Sequence, residues 1–302
     1  MNRHSMISQL QRLVKSLVSL FRASVKFTTL ADFDMTQVTT LDSDVTEEEL
    51  IEFIQAAPDG MEDLEERWFF VNGIGGEYYW LGLACQKLAQ EYGRKVVGVF
   101  NRGDGLLWDL VECAGQRSAR EHGSTNSQDL LCEATTSSVS AQGILYERLK
   151  RALGLGEPKS VVVVAHSQGC LVLRLALEQL IRDGDEKVKQ KMRDNLCVFT
   201  FGNPSIHWMV HEYSRRTEHY ANETDFVAKL GVLRLQSKNN TDGVQNGYSD
   251  RTVFVNKTWK GHMFGAQYSL DKDDYVNAEG ERSWLLNCSS GGAIGSLIQE
   301  FF

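Results

Sequence analysis

Residues 160–180, "SVVVVAHSQGCLVLRLALEQL", hold a serine at a place where chemistry can be done. Four consecutive valines make a short β-branched run, which reads as a strand buried on both faces. Beyond Ser167, five leucines (Leu171, Leu173, Leu175, Leu177, Leu180) among Arg174, Glu178 and Gln179 read as a helix packed on a sheet. Ala165-His166-Ser167-Gln168-Gly169 between them has the form of a G-x-S-x-G nucleophile elbow, with alanine at the first small position. Small neighbours two residues away on either side let the serine take a strained turn and expose its hydroxyl. The competing reading of the same five residues is an ordinary strand-to-helix turn.

A serine hydroxyl is a weak nucleophile at neutral pH and needs a base, a carboxylate to orient that base, and donors for the oxyanion. After such an elbow the chain order is acid, then histidine. Downstream of Ser167 stand His207, His211, His219 and His262. Asp225 follows the strand-like "EHYAN" in a turn-forming Asn-Glu-Thr-Asp run, and His262 is the only histidine after it. Ser167, Asp225 and His262 are therefore the expected nucleophile, acid and base. His166 and His219 read as core or supporting residues, and nothing in the spacing assigns His207 or His211, which flank Trp208.

These residues need a scaffold, and strand-like runs alternate with helical ones along most of the chain. "RWFFVNG" (67–73), "KVVGVFN" (95–101), "SVVVVAH", "NLCVFTFGN" (195–203), "EHYAN" (218–222) and "RTVFVN" (251–256) read as strands, with "YYWLGLACQKLAQEYG" (78–93) and the leucine segment as helices. The pattern predicts an α/β fold, a mostly parallel sheet with right-handed crossovers and helices on both faces. Residues 102–142 make a longer excursion, apolar in "GLLWDLVECAGQ" and loop-like in the Ser/Thr-rich "GSTNSQDLLCEATTSSVSAQG", and read as a cap-like insertion or a surface loop. Residues 43–67 are acidic and read as a solvated helical region and linker.

With 302 residues, 42% of them hydrophobic, the chain can bury a full core. A net charge of −8 and the lack of a basic stripe argue against a nucleic-acid partner. The six cysteines are scattered without CxxC pairs or histidines at ligand spacing, which supports neither a zinc site nor a disulfide framework. "GIGG" (73–76) lacks the third glycine of a dinucleotide fingerprint, because Tyr78 stands there. N-x-S/T sequons at Asn222, Asn239, Asn256 and Asn287 read as chance occurrences in an intracellular protein without a secretory leader.

The elbow, "FGNPS", "EHYANETDFVAKLGVL" and "GHMFGAQY", in this order, resemble a group of fungal α/β-hydrolases related to lipases and esterases. The resemblance covers roughly residues 66–270. It implies an α/β-hydrolase fold in residues 67–302, behind an N-terminal amphipathic helix and acidic linker in residues 1–66. It also implies a Ser-Asp-His triad on Ser167, Asp225 and His262 that cleaves a carboxylic acyl ester through an acyl-enzyme, with no metal or organic cofactor. The oxyanion hole would combine the amide of Gln168 with one from "VNGIGGEYYW", where Gly73 and Ile74 are best placed. Apolar "GLLWDLVEC" and "SWLLNCSSGGAIGSLIQEFF" either point to a lipophilic ester or belong to the core, and the same triad would serve a thioesterase or amidase. A non-catalytic binding protein on the same fold is the rival class.

Residues 5–27 place Leu10, Leu13, Val14, Leu17, Val18, Phe21 and Val25 on one helical face, with Arg12, Lys15, Arg22 and Lys26 elsewhere. A helix packed on the domain, a helix at a membrane surface and a mitochondrial transit segment all fit, so the expected location is cytoplasmic or membrane-peripheral, with the organelle as alternative. On the membrane reading, each well-placed basic residue contributes about 1 kcal/mol at an anionic surface. Vesicle co-sedimentation is then expected to weaken with salt and to vanish on deletion of residues 1–27, leaving soluble-ester hydrolysis unchanged. Insoluble deleted protein would place the stripe in the core instead.

Overall fold

A computed structural model of the chain describes residues 52–56, 66–73, 78–101, 136–154, 159–234, 247–288 and 294. The amphipathic stripe at 5–27, most of the cap-like insertion (102–135) and Ile74 lie outside the described residues.

Seven strands form one sheet: β1 (Glu52–Gln55), β2 (Glu66–Val71), β3 (Val96–Val99), β4 (Ser160–His166), β5 (Leu196–Phe201), β6 (Arg216–Asn222) and β7 (Val253–Asn256). Their spatial order is β1-β3-β2-β4-β5-β6-β7. All neighbours pair in parallel except β1, which runs antiparallel to β3 at the edge. The helices are α1 (Tyr78–Tyr92), α2 (Thr136–Gly154), α3 (Gln168–Asp183), α4 (Glu186–Asn195), α5 (Phe226–Leu230) and α6 (Trp284–Asn287). The α/β class and the parallel character of the sheet follow the sequence pattern. Among the described residues no helix is long and apolar enough to cross a membrane.

The two-residue period of a strand sorts the core into two layers. Phe69, Val71, Val161, Val163, Ala165, Leu196 and Val198 face α2, α3 and Met192 of α4. Trp68, Phe70, Val162, Val164, Cys197, Phe199 and Phe201 face α1, Tyr268 and the segment containing Leu285 and Leu286. β4 is buried on both sides, which is why its valines run without a polar break. Each such side chain contributes roughly 1.5–3 kcal/mol of burial.

Two segments differ from expectation. Residues 52–55 form β1 rather than part of a helical linker, because β3 would otherwise end the sheet with an open edge. Residues 136–143, expected as loop, are the first turns of α2; Ala141, Leu145, Leu149 and Leu153 form a buried stripe that carries the helix back through the Ser/Thr-rich stretch. Asn222 and Asn256, two of the four sequon asparagines, are buried and cannot carry a glycan in this fold.

Parallel strands bring their C-terminal ends to one edge, where a doubly wound sheet places ligands. Asn72 and Gly73 leave β2 there, Ser167 leaves β4, Gly202 leaves β5, Asp225 follows β6 and His262 follows β7. The start of α3 packs so tightly on β2 that a Cβ at Gly169 would lie 2.5 Å from the carbonyl oxygens of both Val71 and Asn72. Gly169→Ala is expected to cost about 1–3 kcal/mol by forced displacement of backbone, read from the urea midpoint. Gly143→Ala, in α2 with nothing within 4 Å of the added carbon, should instead stabilise by up to about 1 kcal/mol. Equal effects at the two sites would overturn the packing argument.

Candidate active site

Ser167 stands between β4 and α3 with φ 56° and ψ −127°, the only non-glycine with positive φ among the described residues. Such backbone costs on the order of 1–3 kcal/mol and persists only where its surroundings hold it. Ser167 N donates to Phe201 O at 2.9 Å, and Cys170 N donates to Ser167 O at 2.9 Å. Although Ser167 occupies the N-cap of α3, its side chain makes no capping bond. Its hydroxyl is committed elsewhere: His262 Nε2 lies 2.7 Å from Ser167 Oγ, and His262 Nδ1 lies 2.8 Å from Asp225 Oδ2. With the carboxylate accepting from Nδ1–H, Nε2 carries the lone pair that faces the serine hydroxyl.

Asp225 is the N-cap of α5, where Oδ1 accepts from Val227 N at 2.9 Å. Oδ2 is shared between His262 Nδ1 and the hydroxyl of Tyr268, which donates at 2.5 Å. Burial pushes this carboxyl up, but the charge and hydrogen bond of His262, with the bonds from Tyr268 and Val227, outweigh it and hold the group below the usual carboxylate range. The side chains of Asp225 and His262 are 2% and 22% exposed, so the acid is sealed while the base reaches the surface.

Glycines make room for this chain of bonds. Gly202, at φ +60°, lies under the histidine: a Cβ there would be 2.8 Å from His262 Cε1 and 3.0 Å from Asp225 Oδ2. Gly73 lies against the serine, where a Cβ would be 2.4 Å from Ser167 Cβ and 3.1 Å from Oγ. Gln168 opens α3, so its amide belongs to the N-terminal turn, whose N–H groups favour negative charge. Side chains tie Gly73 and Gln168 together. Asn72 Nδ2 donates to Gly73 O and Asn101 O at 3.1 and 2.9 Å, Asn101 N donates to Asn72 Oδ1 at 2.7 Å, and Asn101 Nδ2 donates to Gln168 Oε1 at 2.8 Å. Gly73 and the start of α3 thus both lie beside Ser167.

Of the remaining candidates, His166 adjoins this chemistry, its ring 4.7 Å from that of His262, and those that follow lie apart from it. His219 is fully buried in β6, its Nδ1 2.6 Å from Thr200 Oγ1 and its ring edge-on to Trp208 and Tyr248. His211 Nδ1 pairs with Trp208 O at 3.0 Å. Leu285, Leu286 and Ile294, from the apolar C-terminal stretch for which a substrate contact and a place in the core were both open, sit in the core beneath α1. Among the described residues no group of three His, Cys, Asp or Glu side chains could hold a metal ion, and Cys85, Cys170, Cys197 and Cys288 are free thiols. Tyr268, Asn72, Asn101 and Asn222 carry no signal of a role in the site in the sequence pattern, Asn222 standing out there only as a sequon. Only Gly202 gave one, in "FGN", a glycine directly after a strand.

Burial first, and then the neighbouring charge of His211, push the His219 imidazole down to about 3. An unfolded histidine titrates near about 6.5. Between these values the unfolded chain binds a proton that the native chain does not, so stability is whole above about pH 6.5 and is withdrawn as pH falls toward 3. His219→Phe is expected to flatten the fall in melting temperature between about pH 6.5 and pH 4.5, a window above most carboxylate titration. An unchanged slope would show that His219 is not held neutral.

No family model matches the chain, and no curated protein is significantly similar to it, so the chemistry of the site is read from its geometry.

Proposed function

We propose that the protein is a serine hydrolase of the α/β-hydrolase type that cleaves carboxylic acyl esters. The observation that carries this reading is the unbroken hydrogen-bond chain from the strained Ser167 through His262 to Asp225. Three groups far apart in sequence meet at 2.7 and 2.8 Å in the order hydroxyl, imidazole, carboxylate. The placement of Ser167 after a central parallel strand, and the chain order serine, acid, histidine, support the α/β-hydrolase reading.

In this mechanism Ser167 Oγ attacks the acyl carbon while its proton passes to His262 Nε2. The tetrahedral oxyanion is met by the amides of Gln168 and Gly73. Collapse expels the alcohol, which takes the proton from His262 and leaves an acyl-serine. Water then attacks that ester with His262 again as base, releasing the acid and restoring the serine. Asp225 holds the Nδ1–H tautomer and stabilises the imidazolium as it forms. A lipophilic acyl group is supported by Trp80, Phe226 and Trp259, large side chains left 41–46% exposed on segments that follow strand ends at the site edge.

With short-chain nitrophenyl esters, Ser167→Ala is expected to lose about a thousandfold or more in kcat/KM while keeping the wild-type melting profile. A fluorophosphonate probe should label wild type at Ser167 and leave the variant untouched. Retained hydrolysis in the variant would sink the assignment, and a preference for acetyl over longer acyl esters would sink the lipophilic substrate.

A further inference from the structure

We propose that Gln267 and His166 are positioning residues that clamp the two sides of the His262 peptide and so set where its imidazole stands. The inference rests on the hydrolase reading for its catalytic consequence and on geometry alone for its structural one.

His262 follows β7 on a stretch without regular secondary structure, so the strand and helix ladders that hold Ser167 do not extend to it. A base on such a segment keeps its aim only if the backbone is tied. The tie on the amide side is Gln267, whose Oε1 accepts from His262 N at 2.7 Å and Met263 N at 3.0 Å. Gly261 makes this approach feasible: it stands at φ +108°, and a Cβ there would be 2.2 Å from Gln267 Oε1. On the carbonyl side, His166 Nε2–H donates to His262 O at 2.5 Å, and the two rings lie 4.7 Å apart at 37°. Asn222 Nδ2 closes the loop on β6, donating to Gly261 O at 3.0 Å and Gln267 O at 2.9 Å. Asp225 N donates to Asn222 O at 2.9 Å, so acid and base are measured from one asparagine.

His166 suits its place beside a general base because it stays neutral. Burial foremost, then the charge of His262, push it down to about 3, against the opposing pull of the His262 carbonyl and Asp225. Its Nε2 proton is committed to that carbonyl.

The test uses the full chain, nitrophenyl butyrate kinetics and the low-field proton resonance of His262 Nδ1–H, identified by its loss in Asp225→Ala. Gln267→Met removes the acceptor at nearly constant size, Gln267→Glu restores an acceptor for both amides, and His166→Phe keeps a ring but removes the donor. Expected for Gln267→Met is a fall in kcat of about a hundredfold with little change in KM, and a broadened resonance. Gln267→Glu should recover about tenfold of that loss, and His166→Phe should lower kcat in the same sense as Gln267→Met. If Gln267→Met does not fold, wild-type kcat and resonance in His166→Phe overturn the clamp. Wild-type kcat and resonance in both His166→Phe and Gln267→Met, or a Gln267→Glu no better than Gln267→Met, would overturn the clamp. A wild type that shows the resonance but neither hydrolysis nor labelling of Ser167 would overturn the hydrolase reading, and the clamp would then stand or fall on the resonance across the same variants.

Discussion

The backbone at Ser167 is the constraint around which the molecule is arranged. A residue with a Cβ at φ 56° and ψ −127° is held there by more than its own preferences. The restraint has three parts: the buried β4 strand that delivers the chain, the helix α3 that begins at the next residue, and the two glycines that let both come close. Gly169 lets α3 touch the end of β2, and Gly73 lets the chain leaving β2 pass against the serine. The same crowding directs the hydroxyl away from the helix it caps and toward His262. Strain of this kind is found where a side chain must be presented rather than packed, which is why it supports a nucleophile and not merely a turn.

The acid and the base need a different kind of support, since they sit on the ends of β6 and β7 with short helix or loop behind them. Asp225 is satisfied on every side the structure describes: a capped amide on Oδ1, an imidazole and a phenol on Oδ2. A carboxylate so satisfied remains ionised despite burial, and an ionised carboxylate can fix the tautomer of its partner. Asn222 joins the two halves by binding the backbone on both sides of the histidine loop while its own carbonyl receives the amide of Asp225. Far from this edge, the buried pair of Glu66 and Arg94, 2.9 Å apart, anchors the start of β2 to the turn after α1, with Ile294 N donating to the same carboxylate. Removing one member of such a pair would leave a buried charge uncompensated, so its role is to fix the scaffold rather than to add net stability.

Three histidines show how environment divides labour. His219, sealed between Trp208 and Tyr248, is a neutral packing element. His166, also held neutral, donates to a carbonyl. His262 alone has one nitrogen on a buried carboxylate and the other on a serine hydroxyl. Side chains of one type thus differ by the partner each nitrogen meets, which no composition or spacing records.

What the sequence by itself determined is the part written in local pattern. The valine run, the elbow, the small residues beside it and the alternation of strands with helices are periodicities and short motifs, so β4, the turn at Ser167, α3 and the parallel sheet were legible without coordinates. Asp225 and His262 were legible by chain order and elimination, because only one histidine follows that aspartate. Tertiary structure alone decided what depends on contacts across long separations. Gly73 against Ser167, Gly202 beneath His262, and Tyr268 on Asp225 join residues 43 to 94 apart, where strands from distant parts of the chain converge. It also decided that residues 52–55 complete the sheet edge and that the Ser/Thr-rich residues 136–143 are helical, since in each case partners elsewhere override weak local preference. A glutamine five residues after a histidine carries no local signal; it becomes an anchor because a glycine at positive φ turns two amides toward it, and that turn exists only once β6 and β7 lie side by side.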